Sequence, residues 1–302
     1  MTTFERTPAI DLDVATVAGL VAEQFPRWKD LPLNAVESAG TDNAIYRLGA
    51  DKAVRLPRLP SAVGQVDKEQ KWLPRLAPRL PLAVPVPLGR GEPGTDYPWE
   101  WSIYRWLDGQ SLGSGRLGDP RGVATDLGAF ITALRSIDSA GGPEPGAHNF
   151  FRGVALAARD RSTREAIAAV TDELDAHAVT AAWQSALDAA PWSSPGVWIH
   201  GDLSSGNLLF DGDRLTGVID FGGLAVGDPA CDLSVAWELF DADTRWIFRS
   251  AARIDDASWD RGRGWALSIA LIQLPYYRSS NPVVAARARH VIGVVLADHD
   301  NP

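Results

Sequence analysis

The chain has 302 residues, of which 45% are hydrophobic and 22% are charged, and its net charge is −9 at pH 7. This composition is ordinary for a globular protein, and the length is sufficient for two compact domains. The acidic charge argues against nucleic acid as a partner, because a phosphate-binding surface is rich in lysine and arginine. No run approaches the roughly 18 apolar residues that a membrane span needs, so no membrane partner is expected.

Cys231 is the only cysteine, which excludes an intramolecular disulfide and is consistent with a reducing compartment. The amino-terminal sequence MTTFERTPAIDLD is too acidic for a signal peptide. We therefore expect a cytoplasmic protein. The sequence leaves open whether it is a monomer or a dimer.

The first part of the chain, residues 1–105, is predicted to combine helices with an antiparallel sheet. An amphipathic helix begins at Asp13 and ends before Pro26. Strand-like segments follow around residues 33–38, 43–48, 52–56, 84–91 and 99–105. A helix is predicted over residues 61–73, between the third and fourth strands.

The second part, residues 106–302, is predicted to be larger and mainly helical. Asp119-Pro120 is typical of a helix start, with proline at the first helical position. Helical patterns follow within residues 163–189, 233–240, 243–253, 259–276 and from Pro282 onward. The expected fold class is therefore α+β, with a domain of residues 1–105 and a domain of residues 106–302.

Polar residues that could support chemistry cluster in one stretch, which begins at Val197 and reads VWIHGDLSSGNLLFDGDRLTGVIDFGGLAVGDPACDL. Asp202 and Asn207 follow one apolar run, and Asp220 ends another. A carboxylate can accept the proton of an attacking hydroxyl, and amide and carboxylate oxygens are ligands that Mg²⁺ accepts. Asp202 is therefore the candidate catalytic base, and Asn207 and Asp220 are the candidate metal ligands.

Three motifs in this stretch, HGDLSSGNLLF, VIDFGG and GDPACDL, resemble those of the aminoglycoside phosphotransferase family of small-molecule kinases. The Asp-x4-Asn spacing followed by Asp-Phe-Gly is the pattern of the protein-kinase fold. The resemblance implies a two-lobed, protein-kinase-like fold, with a five-stranded antiparallel sheet in the first lobe. It also implies Mg²⁺, and ATP or GTP as phosphate donor. No Ala-Pro-Glu follows Asp220, so a phosphorylation-controlled activation loop is not expected.

The resemblance also implies nucleotide contacts in the first domain. The strand AVRLPR carries Arg55 where kinases place a lysine that contacts the phosphates. Arginine keeps the charge but differs in size and geometry, which leaves the choice between ATP and GTP open. Glu69 on the next helix is the expected ion-pair partner of Arg55. The plainer alternative for Glu69 is a solvated position beside Lys68 and Lys71.

Two further segments correspond to nucleotide-binding segments of kinases. The loop with Gly40 and Thr41 corresponds to the one that covers the phosphates, although it lacks G-x-G-x-x-G and can equally be an ordinary hairpin turn. Tyr104 and Trp106 belong to the connector that holds the adenine. Both pairs are candidates for nucleotide binding.

Other polar residues of the motifs are predicted to support the structure. Asp228 before Pro229 is typical of a helix N-cap. Asp232 is assigned the same supporting role, and His200 is expected to orient the loop from beneath. Cys231 is expected to be a small buried residue.

The acceptor site of this family lies between the catalytic loop and the carboxy-terminal helices. Glu238 and Asp241 are the candidate substrate-binding residues. The carboxylates available in this part of the chain are Glu238, Asp241, Asp243, Asp255, Asp256 and Asp260. If these carboxylates face the acceptor site, their charge favours binding of a polyamine antibiotic. The alternative is that they are helix caps or solvated positions. The tryptophans of this part could line a pocket for a macrolide-like acceptor or pack the helices together: Trp237, Trp246, Trp259 and Trp265.

The predicted function is transfer of a nucleotide γ-phosphate to a hydroxyl of an aminoglycoside or related antibiotic. A macrolide phosphotransferase is one alternative, and a metabolic kinase for a choline-, homoserine- or sugar-like alcohol is another. A nucleotide-binding protein without transfer activity is the alternative from another class. A protein kinase is disfavoured because the chain has no recognisable activation segment.

Overall fold

The computed structural model describes residues 9–36, 42–112 and 115–300. They form two compact units. The first comprises the described residues up to Pro78 together with Ala83–Asp108 and Ile219–Gly222. The second comprises Arg79–Leu82, Gly109–Val218 and the described residues from Gly223 onward.

The first unit is built on an antiparallel sheet. Its strands are β1 (Leu33–Ala35), β2 (Asn43–Leu48), β3 (Lys52–Pro57), β4 (Pro87–Gly91) and β5 (Trp101–Arg105). They lie in the order β1-β2-β3-β5-β4, and every neighbouring pair is antiparallel. The five-stranded antiparallel sheet predicted for this part of the chain is confirmed.

Two helices, α1 (Val14–Gln24) and α2 (Val63–Leu76), complete the first unit. The Asp13 carboxylate caps α1 by accepting a hydrogen bond from the Thr16 amide at 2.7 Å. Helix α1 buries Val17 and Val21 in the same core as Val54 of the sheet. The buried face of α2 contains both charged and apolar residues, since Lys68 and Glu69 lie on it beside apolar side chains. Buried charges of this kind need partners in the fold.

The second unit combines helices with two small antiparallel sheets. Its strands are β6 (Gln110–Ser111), β7 (Val197–Ile199), β8 (Leu208–Asp211), β9 (Arg214–Val218) and β10 (Ala225–Gly227). Strands β6, β8 and β9 form one sheet, and β7 pairs with β10 in the other. Its helices are α3 (Pro120–Ser136), α4 (Asp160–Ala168), α5 (Ala176–Leu187), α6 (Val235–Leu239), α7 (Ala242–Ala251), α8 (Asp256–Tyr277) and α9 (Pro282–Asp300).

Helix α8 lies at the centre of the second unit, where it packs against α5, α9 and the 3-10 helix Pro229–Ser234. Trp183 on α5, Trp237 on α6 and Trp265 on α8 are fully buried. Trp237 and Trp265 therefore pack these helices together, which was the plainer of the two expectations for the tryptophans of this region, whereas Trp246 is 69% exposed. None of the helices in the described residues is both long enough and apolar enough to cross a bilayer.

Candidate active site

The loop that follows β7 is held from beneath by a buried carboxylate. The backbone amides of His200 and Gly201 each donate a hydrogen bond to Asp232, to its Oδ2 and Oδ1 atoms, both at 2.7 Å. The next amide, of Asp202, donates to Nδ1 of the buried His200 at 3.2 Å. Burial raises the pKa of the Asp232 carboxyl above its usual value, while His200 and the two amides oppose this shift. Asp232 and His200 therefore fix the backbone on which Asp202 is mounted.

Asp202 and Asn207 lie together on this loop. The Asn207 amide nitrogen donates to the Asp202 backbone carbonyl at 2.8 Å and lies 3.3 Å from the Asp202 carboxylate. With the nitrogen engaged in this way, the amide oxygen is the Asn207 atom that could bind a cation. The Asp202 side chain is exposed, as a group that receives a proton from a bound molecule must be.

Gly201 allows two backbone segments to pass in contact behind Asp202. Its φ is +82°, and a Cβ atom built there would lie 2.3 Å from the Gly223 carbonyl oxygen. The glycine is thus required twice, once for its backbone conformation and once for the close approach.

We expect Gly201→Ala to be considerably more destabilising than Gly212→Ala. Gly212 also has a positive φ, +58°, but an added Cβ atom meets nothing within 4 Å. Its substitution should cost only the backbone strain, about 1–2 kcal/mol, whereas Gly201→Ala adds a collision with a carbonyl. Urea unfolding of both variants measures the difference. Equal losses of unfolding free energy would contradict the close approach.

Asp228 is an N-cap, as the sequence predicts, and it is also half of a buried ion pair. Its Oδ1 accepts a hydrogen bond from the Ala230 amide at 3.0 Å. Arg261 on α8 donates its Nε to Asp228 Oδ2 at 2.9 Å, and each of the two side chains is 4% exposed. The pair ties the GDPACDL motif to the central helix of the second unit.

In the first unit, the Arg55 guanidinium on β3 is surrounded by acceptors. It bonds to Glu69 at 2.5 Å, to Gln65 at 2.8 Å and to Asp220 at 2.8 Å. Burial disfavours its charge, but Glu69 and Asp220 more than compensate and raise the pKa of Arg55 above its usual value. Glu69 is only 2% exposed, so the alternative of a solvated position for Glu69 is wrong. The role of the pair toward a nucleotide stays a prediction.

The candidate nucleotide-binding residues of the connector have partners within the first unit. The buried Tyr104 hydroxyl donates to the Glu69 carboxylate. Burial, reinforced by Glu69, raises the pKa of Tyr104 well above its usual value, so the phenol stays protonated. The Trp106 indole donates to Asp108 at 3.0 Å, and its backbone amide donates to the Asp51 carbonyl at 2.8 Å. Gly40 and Thr41 lie outside the described residues.

Asp220 has an uncommon backbone conformation for a residue with a side chain, with φ at +62°. Such conformations cost free energy and persist where the surroundings hold them, often at functional sites. Its Oδ1 accepts from Arg55, and its side chain is 46% exposed. The second carboxylate oxygen could therefore bind a cation. A carboxylate and an amide oxygen suit Mg²⁺, which in kinases completes its shell with phosphate oxygens and water.

Lys68 on α2 is buried, 9% exposed, and donates its Nζ to the Gly222 carbonyl at 2.5 Å. Burial lowers the pKa of Lys68 from 10.5 to about 8, although Glu69 and Asp220 oppose the shift and Arg55 adds to it. The sequence analysis named Lys68 only as a neighbour of Glu69 and assigned it no role. The spacing of Lys68 from Trp72, four residues on, was the available signal that both share the buried face.

We expect this pKa to make part of the folding stability depend on pH. Between pH 8 and pH 10.5 the unfolded chain holds a proton on Lys68 that the folded chain does not, so stability rises with pH across this window. The measurement is urea unfolding of wild type and Lys68→Met at pH 7, 8.5 and 10. We expect the unfolding free energy of wild type to rise with pH relative to that of Lys68→Met. A difference that stays constant with pH would contradict the lowered pKa.

The two candidate acceptor-binding carboxylates are engaged within the second unit. Glu238 accepts a hydrogen bond from the Ser205 amide at 3.0 Å and lies 3.6 Å from Arg287. Asp241 caps α7 by accepting from the Thr244 amide at 2.9 Å. The hydrogen bonds to Thr244 lower the pKa of Asp241 below its usual value.

Solved structures of phosphotransferases share this fold. The GDP complex of aminoglycoside 2'-phosphotransferase-IIIa superposes with a TM-score of 0.73 at 21% identity, over 95% of this chain and 100% of that chain. The macrolide 2'-phosphotransferase apoenzyme from Brachybacterium faecium superposes with a TM-score of 0.62 at 23% identity, over 93% of this chain and 98% of that chain. The protein-kinase-like fold predicted from the sequence is thereby confirmed.

The sequence matches the phosphotransferase enzyme family (APH) over residues 36–265, and the chain belongs to this family. It is 31% identical over 115 residues to an aminoglycoside 3'-phosphotransferase of Salmonella typhimurium, covering 38% of this chain and 42% of that protein. It is 36% identical over 66 residues to an aminoglycoside 3'-phosphotransferase of Escherichia coli, covering 22% of this chain and 24% of that protein. The alignments span less than half of each curated relative.

Proposed function

We propose that this protein transfers the γ-phosphate of ATP or GTP to a hydroxyl group of a small molecule. The observation that carries the proposal is the loop on which Asp202 and Asn207 lie 3.3 Å apart, side chain to side chain, above the Asp232 support. Family membership favours the same reaction. In this proposal residues 1–105 bind the nucleotide, and residues 106–302 carry the catalytic base and bind the acceptor.

Each residue has a distinct part in the proposed reaction. Asp202 orients the acceptor hydroxyl and takes its proton as the phosphoryl group is transferred. Arg55, steadied by Glu69, contacts the nucleotide phosphates, a task for which a guanidinium fork is suited. Asn207 and Asp220 hold Mg²⁺, which when bound neutralises charge on the phosphates. The use of nucleoside triphosphate and the single reduced cysteine suggest the cytoplasm as the location.

An aminoglycoside or related antibiotic is the first candidate acceptor, and antibiotic resistance the corresponding role. The curated relatives are named aminoglycoside 3'-phosphotransferases. Solved neighbours include complexes with kanamycin, streptomycin and gentamicin. The net charge of −9 also favours the approach of a cationic acceptor.

A neutral, partly apolar acceptor of the macrolide kind is the second candidate, because five of the six candidate carboxylates, all except the exposed Asp243, already bond to groups of the protein. Asp255 caps α8 through the Ser258 amide at 2.7 Å, and Asp260 lies 3.1 Å from Arg263. Asp256 bonds to Arg249, and Glu238 and Asp241 have the partners described above. A carboxylate that gives up such a partner for a ligand amine gains little. Trp246, 69% exposed on α7, offers apolar surface instead.

The test is nucleoside-diphosphate release with Mg-ATP and Mg-GTP across aminoglycosides, macrolides and small alcohols such as choline and homoserine. Release that depends on one acceptor class would support the proposal and identify the acceptor. Release with a small alcohol alone would favour a metabolic kinase. Tight binding of Mg-nucleotide without release, for every acceptor and for water, would favour a nucleotide-binding protein without transfer activity.

A further inference from the structure

Within the first unit, helix α2 turns a polar face toward the segment Ile219–Gly222. Gln65, Lys68 and Glu69 are spaced at i, i+3 and i+4, so they lie on one side of the helix. Lys68 and Glu69 are almost fully buried. Polar groups in such positions are stable only with partners in the fold. Arg55 and this segment are among these partners, and Tyr104 and Asn43 donate further hydrogen bonds to Glu69 and Gln65.

Two cations hold the segment, one on each side of Phe221. Arg55 bonds to the Asp220 carboxylate at 2.8 Å, and Lys68 bonds to the Gly222 carbonyl at 2.5 Å. The Phe221 side chain between them is fully buried. The segment is therefore fixed through a side chain at one end, a backbone carbonyl at the other and an apolar anchor in the middle.

The backbone of the segment needs this support. Asp220 is in the left-handed region at φ +62°, where most residues with a Cβ atom are strained. Gly222 lies so close to α2 that an added Cβ atom would be 2.8 Å from the Gln65 side chain. A side chain at this position would therefore have to displace Gln65, which accepts a hydrogen bond from Arg55.

We propose that Lys68 is a positioning residue, which holds the Gly222 carbonyl and thereby fixes the turn that presents the Asp220 carboxylate to the metal ion. The inference rests on the proposed function. Arg55 already bonds to three side-chain acceptors, Glu69, Gln65 and Asp220. Lys68 supplies a second cation, which donates to the Gly222 carbonyl in the backbone of the segment.

The test measures how nucleoside-diphosphate release depends on Mg²⁺ concentration in wild type, Lys68→Met, Lys68→Arg and Lys71→Met. Lys71 is an exposed lysine on the same helix and serves as the matched control. For Lys68→Met we expect the Mg²⁺ concentration at half-maximal turnover to rise about tenfold, the effect of losing one charge-assisted hydrogen bond. Nucleotide affinity in EDTA, measured by calorimetry, should stay unchanged. Lys68→Arg should restore most of the Mg²⁺ dependence, because arginine can also donate to the carbonyl.

The outcomes separate this inference from the proposed function. A wild-type Mg²⁺ dependence in Lys68→Met would overturn the inference while leaving the function intact. Parallel losses of stability, of nucleotide affinity in EDTA and of turnover would also overturn it, because they indicate a purely structural role. A wild-type protein that binds no nucleotide in the presence of Mg²⁺ would overturn the proposed function, and the inference with it.

Discussion

Asp202→Asn is expected to lower kcat for phosphoryl transfer by about 10²–10⁴-fold, the usual contribution of a general base. The asparagine keeps the size of the side chain but cannot accept the hydroxyl proton. The loop should remain folded, because Asp232 holds it through the His200 and Gly201 amides and not through the Asp202 side chain. Affinity for Mg-nucleotide, measured by calorimetry, should therefore change little.

Asp211→Asn is the matched control, since Asp211 is an exposed aspartate at the end of β8, four residues after Asn207. This variant should retain wild-type turnover. Wild-type turnover in Asp202→Asn would exclude Asp202 as the base. A loss of nucleotide affinity equal to the loss of turnover would indicate a binding role for Asp202 instead.

Asp228→Ala is expected to have the largest effect on stability, about 3–5 kcal/mol, which is typical when one partner of a buried ion pair is removed. Arg261 would keep its bonds to the Ala190 carbonyl at 2.6 Å and to the Ser258 hydroxyl at 3.1 Å. Its charge would nevertheless remain buried without a carboxylate. Urea unfolding of the variant measures the loss of unfolding free energy.

Two further variants test the physical reason for this loss. The double variant Asp228→Ala/Arg261→Met should recover part of it, because the uncompensated charge is removed. Glu165→Ala breaks the ion pair between Glu165 and Arg161, whose side chains are 65% and 92% exposed, respectively. This variant should lose less than about 1 kcal/mol of unfolding free energy. A loss for Asp228→Ala no larger than that for Glu165→Ala would contradict the importance of the buried pair.

Features with a local sequence signal were predictable. The five-stranded sheet follows from short apolar runs separated by turn residues. The N-cap role of Asp228 follows from the proline after it and is observed in the structure. Asp202 and Asn207 could be paired as candidates because only five positions separate them on one loop.

Features that depend on distant residues were not predictable in this way. Arg261 lies 33 positions after Asp228, and no local pattern distinguishes it from a solvated arginine on a helix. The tertiary fold likewise decides that Lys68 is buried, since its partner at Gly222 lies 154 positions along the chain. Asp241 differs from these two residues, because its contact is local. It was a candidate for binding the acceptor substrate, and in the structure it caps helix α7.

The most direct test of the proposed function is to follow the labelled γ-phosphate of ATP and GTP in the presence of each acceptor class. We expect the label to appear on a hydroxyl of one small molecule, with one nucleoside diphosphate formed per phosphorylated acceptor, and to be absent from that molecule with Asp202→Asn. Label that passes only to water, to the protein itself or to peptides would contradict a small-molecule phosphotransferase.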